Sequence, residues 1–261
     1  MIYTWSRGSA DDSMSEDILV YLEPVIRRHP WWHARTELLL TLLDQKGVTP
    51  GATVLDAGCG WGVTLDALER RGYRADGLDI SRRSLERLNR PDRELFEADL
   101  ARPLPQETKA YDAVIALDVI EHIDDDSTAV ANLCHLTRPN GVAVVSVPAL
   151  PELFTEFDRV QGHRRRYVPA TLRQAFERSD FIIEQVLWWG GWLVPLLRLH
   201  RLRRRGRPDA TPMQIYSEYV KLPRWPLSPA LRVGFILDRQ LALRGMIRRG
   251  TSLIAIARRT R

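Results

Sequence analysis

The stretch VLDAGCGWG, Val54 to Gly62, decides the fold. A short β-type run delivers Asp56. Gly58, Gly60 and Gly62 then let the backbone turn tightly and lie against a ligand. A dinucleotide-type loop would read G-x-G-x-x-G and seat a pyrophosphate on the next helix N-terminus. Here the third glycine comes one residue early, Val63 follows it, and no Walker Lys-Ser/Thr pair comes after. An acid-headed loop of this kind favours a ligand carrying a cationic amine over one carrying phosphate. The plain alternative is an ordinary tight strand-to-helix turn.

Working outward, strand and helix patterns alternate. Thr64–Arg71 reads as a helix, and Ala75–Ile80 (ADGLDI) as the next strand, with Ser81 as N-cap of a second helix. Glu94–Ala98 is a third strand and Tyr111–Leu117 (YDAVIAL) a fourth. Asp124, Asp125 and Asp126 then suit the N-cap and first turn of helix Ser127–Thr137. An Asn140-Gly141 turn leads into Val142–Val147, whose small β-branched residues suit a strand buried on both faces. This alternation predicts an open, doubly wound α/β sheet. Beyond Pro148 we read helix Thr171–Ser179, strand Phe181–Leu187 and a last strand, Thr251–Arg258 (TSLIAIAR). The first 50 residues read as helical and end in the amphipathic stretch Thr36–Leu43. The expected organisation is a helical cover (1–50), a catalytic domain (51–190), a basic and apolar helical insertion (191–250) and a returning last strand (251–261).

The 261 residues, 44% hydrophobic and 27% charged, exclude a disordered tail and a multispanning membrane protein. Net charge is +5, but residues 1–150 hold 16 basic and 24 acidic side chains (−8) and residues 151–261 hold 22 and 9 (+13). The halves therefore have different partners. Cys59 and Cys134 make no disulfide scaffold and sit at no zinc-finger spacing. Met1 to Asp17 has no signal-peptide core, and the longest apolar run, Val186 to Leu197, falls short of the roughly 20 residues of a spanning helix. The expected address is cytoplasmic, with peripheral contact at the inner membrane face as its extension.

Two more acids follow the glycine loop. Asp79 closes the second strand in GLDIS, where a carboxylate accepts from ribose hydroxyls. Asp99 follows the third strand in FEADL and is placed to accept from an adenine amino group, or to be a turn residue. Together with Asp56 they describe an adenosine pocket. VLDAGCGWG, GLDIS, FEADL and YDAVIALDVIEHI, in that order, resemble the class I S-adenosylmethionine-dependent methyltransferases, closest in style to the ubiquinone-biosynthesis O-methyltransferase group. The resemblance implies a seven-stranded, mostly parallel Rossmann-like sheet and S-adenosylmethionine as cofactor. It implies Asp56, Gly58 and Gly60 at the methionine end, Asp79 at the ribose and Asp99 with Leu100 at the adenine, with Cys59, Ile80 and Asp118 as further cofactor-binding residues.

Asp118, Glu121 and His122 stand at the carboxyl end of the fourth strand, where open α/β sheets place their chemistry. D-x-x-E-H resembles the E-x-x-E-H stretch of the ubiquinone-type enzymes, some of which use a divalent metal such as Mg²⁺. Asp118 has a shorter reach than Glu. Three readings stay open: metal ligation by Asp118, Glu121 and His122, general-base catalysis by His122, or loop shaping alone. Pro148–Val168 replaces a short loop on the substrate side of such folds. Its GHRRRY makes His163 and Tyr167 catalytic or acceptor-side candidates, with Arg164 and Arg166 either clamping an anion or facing water. In His29-Pro30-Trp31-Trp32-His33-Ala34-Arg35, which resembles a segment preceding the domain in relatives, Arg35 is a candidate for the methionine carboxylate. Its tryptophans either close over the cofactor or pack on the sheet.

Trp188, Trp189 and Trp192 precede Arg198, Arg201, Arg203, Arg204, Arg205 and Arg207. Tryptophans beside arginines suit a membrane interface, a nucleic acid, or a structural lid. Clustered tryptophans and the absence of any appended RNA-binding module disfavour nucleic acid. The expected function is O-methylation of a small-molecule or lipid-like acceptor at a membrane surface. The rivals are N- or C-methylation of a natural product, RNA methylation, and cofactor binding without catalysis.

Overall fold

The computed structural model describes residues 1–6, 16–203, 211–221 and 227–260. The chain runs β1 (Ile2–Thr4), α1 (Glu16–Ile26), α2 (Pro30–Gln45), β2 (Thr53–Ala57), α3 (Val63–Arg70), β3 (Arg74–Asp79), α4 (Arg82–Leu88) and β4 (Leu95–Glu97). It continues through β5 (Tyr111–Leu117), α5 (Asp126–Leu136), β6 (Thr137–Pro148), α6 (Glu156–Val160), α7 (Pro169–Ala175) and β7 (Phe181–Trp189). Helices α8 (Leu193–Arg203), α9 (Pro212–Tyr219) and α10 (Leu227–Leu243) follow before β8 (Ser252–Arg259).

All strands join one sheet in the order β1-β4-β3-β2-β5-β6-β8-β7. The pairings from β1 to β6 are parallel, and β8 runs antiparallel between β6 and β7. The chain crosses from β4 back past β3 and β2 to β5, which makes the β2–β5 boundary the switch point of a doubly wound sheet, and ligands of such folds sit outside the carboxyl ends of the strands there. Period-two alternation splits the central strands between two cores. Leu55, Val114 and Val145 point to one face, and Val54, Ile115 and Val144 to the other.

The expected doubly wound fold is observed, with one more strand than expected. β1 lies within the span read as a helical cover and pairs in parallel with β4. Ile2-Tyr3-Thr4 is too short for periodicity to reveal, and what recruits it is the open edge of β4. Tyr3 and Trp5 stack on Phe96 at 5.5 and 4.2 Å. The Asn140-Gly141 turn is a kink inside β6, with Asn140 at φ 63°. Helix α2 is amphipathic with a wide buried face, leaving a narrow stripe of His33, Glu37 and Asp44 exposed. Leu38, Leu39, Leu40, Leu42 and Leu43 are all buried, because α2 packs between α3 and α10.

Candidate active site

The glycine loop leaves β2 and is stitched to the end of β3. The Gly58 and Cys59 amides donate to Leu78 O at 2.6 and 3.0 Å. Asp79 accepts from the Gly60 amide at 2.8 Å and the Ser81 amide at 2.9 Å. Two cavities open on this edge. The smaller, about 270 Å³, is walled by Asp79, Ile80, Asp99, Leu100 and Arg164 among others. The larger, about 440 Å³, takes Arg35, Asp56, Cys59 and His163 and is closed by aromatic and aliphatic side chains from α2, α6, α8, α9 and α10. Gly58, Gly60, Asp118 and His122 belong to both.

A group the size of an adenosine fits the smaller chamber. Gly60 adds a direct sign of ligand space, since a Cβ built on it would meet nothing closer than Gly58 O at 4.0 Å. Asp99 is also the turn residue envisaged as its alternative, for its carboxylate accepts from the Ala101 amide and lies 3.4 Å from Arg102. Its own amide donates to Ser6 Oγ at 2.8 Å, so β1 braces this wall.

Asp56 is buried at the larger chamber. Burial raises its pKa to about 7, against the opposing charge of Arg35. Arg35 pairs with Asp118, lies 4.8 Å from the Trp31 ring centroid, and keeps a buried Nε with no partner. Asp118 has φ 59°, a conformation unusual outside glycine, and also accepts from Ser146 Oγ at 3.0 Å.

Beside it, Glu121 is wholly buried and neither carboxylate oxygen has a hydrogen-bond partner, although His163 Nε2 stands 3.8 Å from Oε1. Burial, then Asp118, pushes its pKa well up. His122 Nδ1 is also buried without a partner, and burial with the neighbouring His163 lowers that ring to about 4. The His122 and His163 rings meet edge to face at 4.8 Å. One ligand atom from each of Glu121, His122 and His163 forms a set within 4.8 Å. Asp118, the ligand expected from the D-x-x-E-H spacing, is not in that set because Arg35 and Ser146 hold its carboxylate.

Asp158 is the organiser that sequence reading missed. It is fully buried, accepts from His163 Nδ1 at 3.1 Å, and takes Arg166 through Nε at 2.7 Å and Nη2 at 3.1 Å. Burial works to raise its pKa, but His163 and Arg166 outweigh that and hold it at about 2. The available signal was the Thr155-x-x-Asp158 spacing of a capping box, which the fold realises at the start of α6.

Arg164 and Arg166, read as clamping an anion or facing water, line different cavities and not one site, Arg166 the larger and Arg164 the smaller. Arg166 is committed to Asp158 and Ala149 O, Arg165 to Asp126 and Asp124 O, and Arg164 lies on the smaller cavity 3.4 Å from Asp124. Tyr167 is corrected too. It is buried outside both cavities with its hydroxyl donating to Asp126 at 2.8 Å, so it does not reach an acceptor. Of the three tryptophans around the end of β7, one is core and two are half-buried. Trp189 is fully buried, 5.4 Å from Trp31 and 6.0 Å from Phe235, because α2 and α10 cover that face of the edge strand β7, and Trp188 and Trp192 are partly buried. Arg198 faces Glu152 at 3.7 Å, while Arg204, Arg205 and Arg207 lie outside the described residues.

Comparison with known proteins agrees with this geometry. The family described as methyltransferase domain matches residues 27–186. The chain is 27% identical over 129 residues to the ubiquinone biosynthesis O-methyltransferase of Paracidovorax citrulli, covering 43% of this chain and 54% of that one. It is 31% identical over 131 residues to the enzyme of that name from Thiobacillus denitrificans, covering 43% and 55%. The chain thus spans about half the length of the curated relatives it matches. Among solved structures, the Burkholderia thailandensis 1,6-didemethyltoxoflavin-N1-methyltransferase superposes with TM-score 0.51 at 17% identity, covering 87% of this chain and 79% of that one.

Proposed function

The chain belongs to the methyltransferase domain family, and from that premise we propose that it is an S-adenosylmethionine-dependent methyltransferase acting on the oxygen of a small, lipid-like acceptor at the cytoplasmic face of a membrane. One observation carries this reading. An adenosine-sized chamber walled by the Asp79 and Asp99 carboxylates and a larger chamber closed by aromatic and aliphatic side chains share a short wall of Gly58, Gly60, Asp118 and His122. A donor filling the first would meet an acceptor filling the second across that wall, which is the ordering of reactants that accelerates group transfer. The apolar lining, including Leu193, Leu197, Leu231 and Phe235, supports a lipid-like acceptor. Oxygen is favoured over nitrogen because a hydroxyl needs a base beside it, and His122 and His163 stand there.

When bound, S-adenosylmethionine supplies an electrophilic methyl group. Asp79, fixed by the Gly60 and Ser81 amides, offers its remaining lone pairs to the ribose side. Asp56 offers negative charge at the cationic end. His122, held neutral by burial, takes the hydroxyl proton, and His163 is the second base, its ring oriented by Asp158.

The charge of Asp56 gives a direct test. Below about pH 7 its carboxyl is protonated and loses its attraction for the cationic end of the cofactor; above that value it is ionised. Cofactor affinity measured by calorimetry should therefore rise about tenfold per pH unit up to about 7 and then level off. Asp56→Asn should bind weakly at every pH, with that dependence gone. Absence of any cofactor binding by the wild type at high micromolar concentration would sink the reading.

A second reading concerns a divalent cation. Glu121, His122 and His163 fit one, since three ligand atoms converge and both Glu121 oxygens and His122 Nδ1 have no hydrogen-bond partner in the interior. Two imidazoles and one carboxylate suit manganese, iron or zinc better than Mg²⁺, which prefers oxygen ligands. Such an ion would lower the pKa of an acceptor hydroxyl. Titration with Mn²⁺ or Zn²⁺ should give a saturable heat that Glu121→Gln removes, while Mg²⁺ binds much more weakly. No heat with any of them would leave Glu121 as a protonated buried acid.

A further inference from the structure

Helix α10 is apolar on two opposite faces. Leu231, Phe235 and Ala242 face inward, and the first two line the larger cavity. Asp238, the only acid in the helix, also points inward and accepts from the Gly190 and Gly191 amides at 2.7 and 2.9 Å. The outward face should then be polar in an ordinary surface helix. It carries Val233, Ile236, Leu237 and Leu241, which are 56%, 54%, 59% and 38% exposed. Arg232 flanks this stripe, Arg244 ends it, and Arg248 follows just beyond the helix, all exposed.

We propose that the outer face of α10 docks on an anionic lipid surface, with the four apolar side chains entering the headgroup boundary and Arg232, Arg244 and Arg248 meeting lipid phosphates. Charge complementarity selects this occupant, because the exposed face offers arginines and no carboxylate. A second copy of the chain fits poorly. Its arginines would oppose these arginines, and four apolar side chains fall far short of the roughly 20–30 residues a side of a stable interface. Among the described residues no helix is long and apolar enough to cross a membrane, so the contact is a surface one. The inference rests on reading the larger cavity as a lipid-like acceptor site, since Leu231 and Phe235 then place the membrane-facing helix directly on that cavity's wall.

Flotation of the full chain with vesicles tests it. Binding should be strong to phosphatidylcholine vesicles containing phosphatidylglycerol and weak to phosphatidylcholine alone. The double substitution I236E/L237E, at exposed positions, should cut bound protein at least tenfold with an unchanged melting temperature. R232Q/R244Q/R248Q should weaken binding to the anionic vesicles by about fivefold per charge removed. Wild-type protein that stays unbound, or either variant floating like the wild type, overturns the proposal. So does a wild-type dimer that I236E/L237E dissolves, since the face would then belong to a second copy. Cofactor calorimetry on the same preparations separates the two readings. An unbound wild type that still takes S-adenosylmethionine refutes docking alone, and one that floats without taking it refutes the methyltransferase reading.

Discussion

Gly60→Val should abolish measurable cofactor binding while leaving the fold standing. Gly60 has φ +45°, so a side chain there costs about 1–2 kcal/mol of backbone strain, and the melting temperature should fall by only a few degrees. The larger effect is steric. The added carbons would hang in the space common to both cavities, where the wild-type backbone leaves nothing closer than 4.0 Å. A ligand excluded from that wall loses its contacts with both chambers, and we expect affinity to fall by about a hundredfold or more, equivalent to about 2.8 kcal/mol. Gly58→Ala is the informative contrast. Its Cβ would stand 2.4 Å from Val119 Cγ2, and its φ is +83°, so that variant should lose stability before it loses affinity. Calorimetry and thermal melts on both variants read the difference. Wild-type affinity in Gly60→Val would remove the glycine loop from the site.

Asp158→Ala should be the most destabilising single change on the acceptor side. Asp158 is completely buried, and removing it leaves the Arg166 guanidinium, itself 9% exposed, without its carboxylate and His163 without its orienting acceptor. Stranding one member of a buried pair costs about 3–5 kcal/mol, which in a chain of this size lowers the melting temperature by about 10 °C. The pH dependence has a fixed sign. The folded-state pKa of about 2 lies below the ordinary aspartate value, so this contribution is present above about pH 4 and is lost as pH falls towards 2. The wild type should therefore lose stability over that interval more steeply than Asp158→Ala. Asp158→Asn keeps the shape without the charge and should fall between the two. Equal melts for wild type and Asp158→Ala at pH 7 would show that the Arg166 contact contributes nothing.

The glycine loop, the acids of β3 and β4 and the alternation of strands and helices could be read directly from residues 53–147, because each depends on neighbours a few positions away. Period-two apolar runs place strands wherever they lie, and a loop of alternate glycines after a strand makes its tight turn from local backbone freedom. The acid-headed loop, the Ser81 cap of α4 and the Asp125 cap of α5 are all local devices, and all formed as their spacing implied. Arg35, His163 and His122 could be named from sequence, but the partners that determine their chemistry could not.

Those partners are distant in the chain. Asp118 turns to Arg35, 83 residues away, which removes it from the metal set its own spacing suggested. Ser6 reaches Asp99 across 93 residues, and Tyr167 spends its hydroxyl on Asp126, 41 residues back. A run of arginines reads as a free cationic patch until folding brings Asp124, Asp126 and Asp158 against it. A cluster of tryptophans reads as a membrane anchor until α2 and α10 pack on β7 and bury Trp189. Local sequence thus determined the sheet and the acid-lined smaller chamber, since hydrogen-bonded turns and apolar periodicity are short-range. Only the tertiary structure decided which charges are cancelled and which apolar face stays bare, because Coulombic pairing and desolvation depend on distance in space and not along the chain.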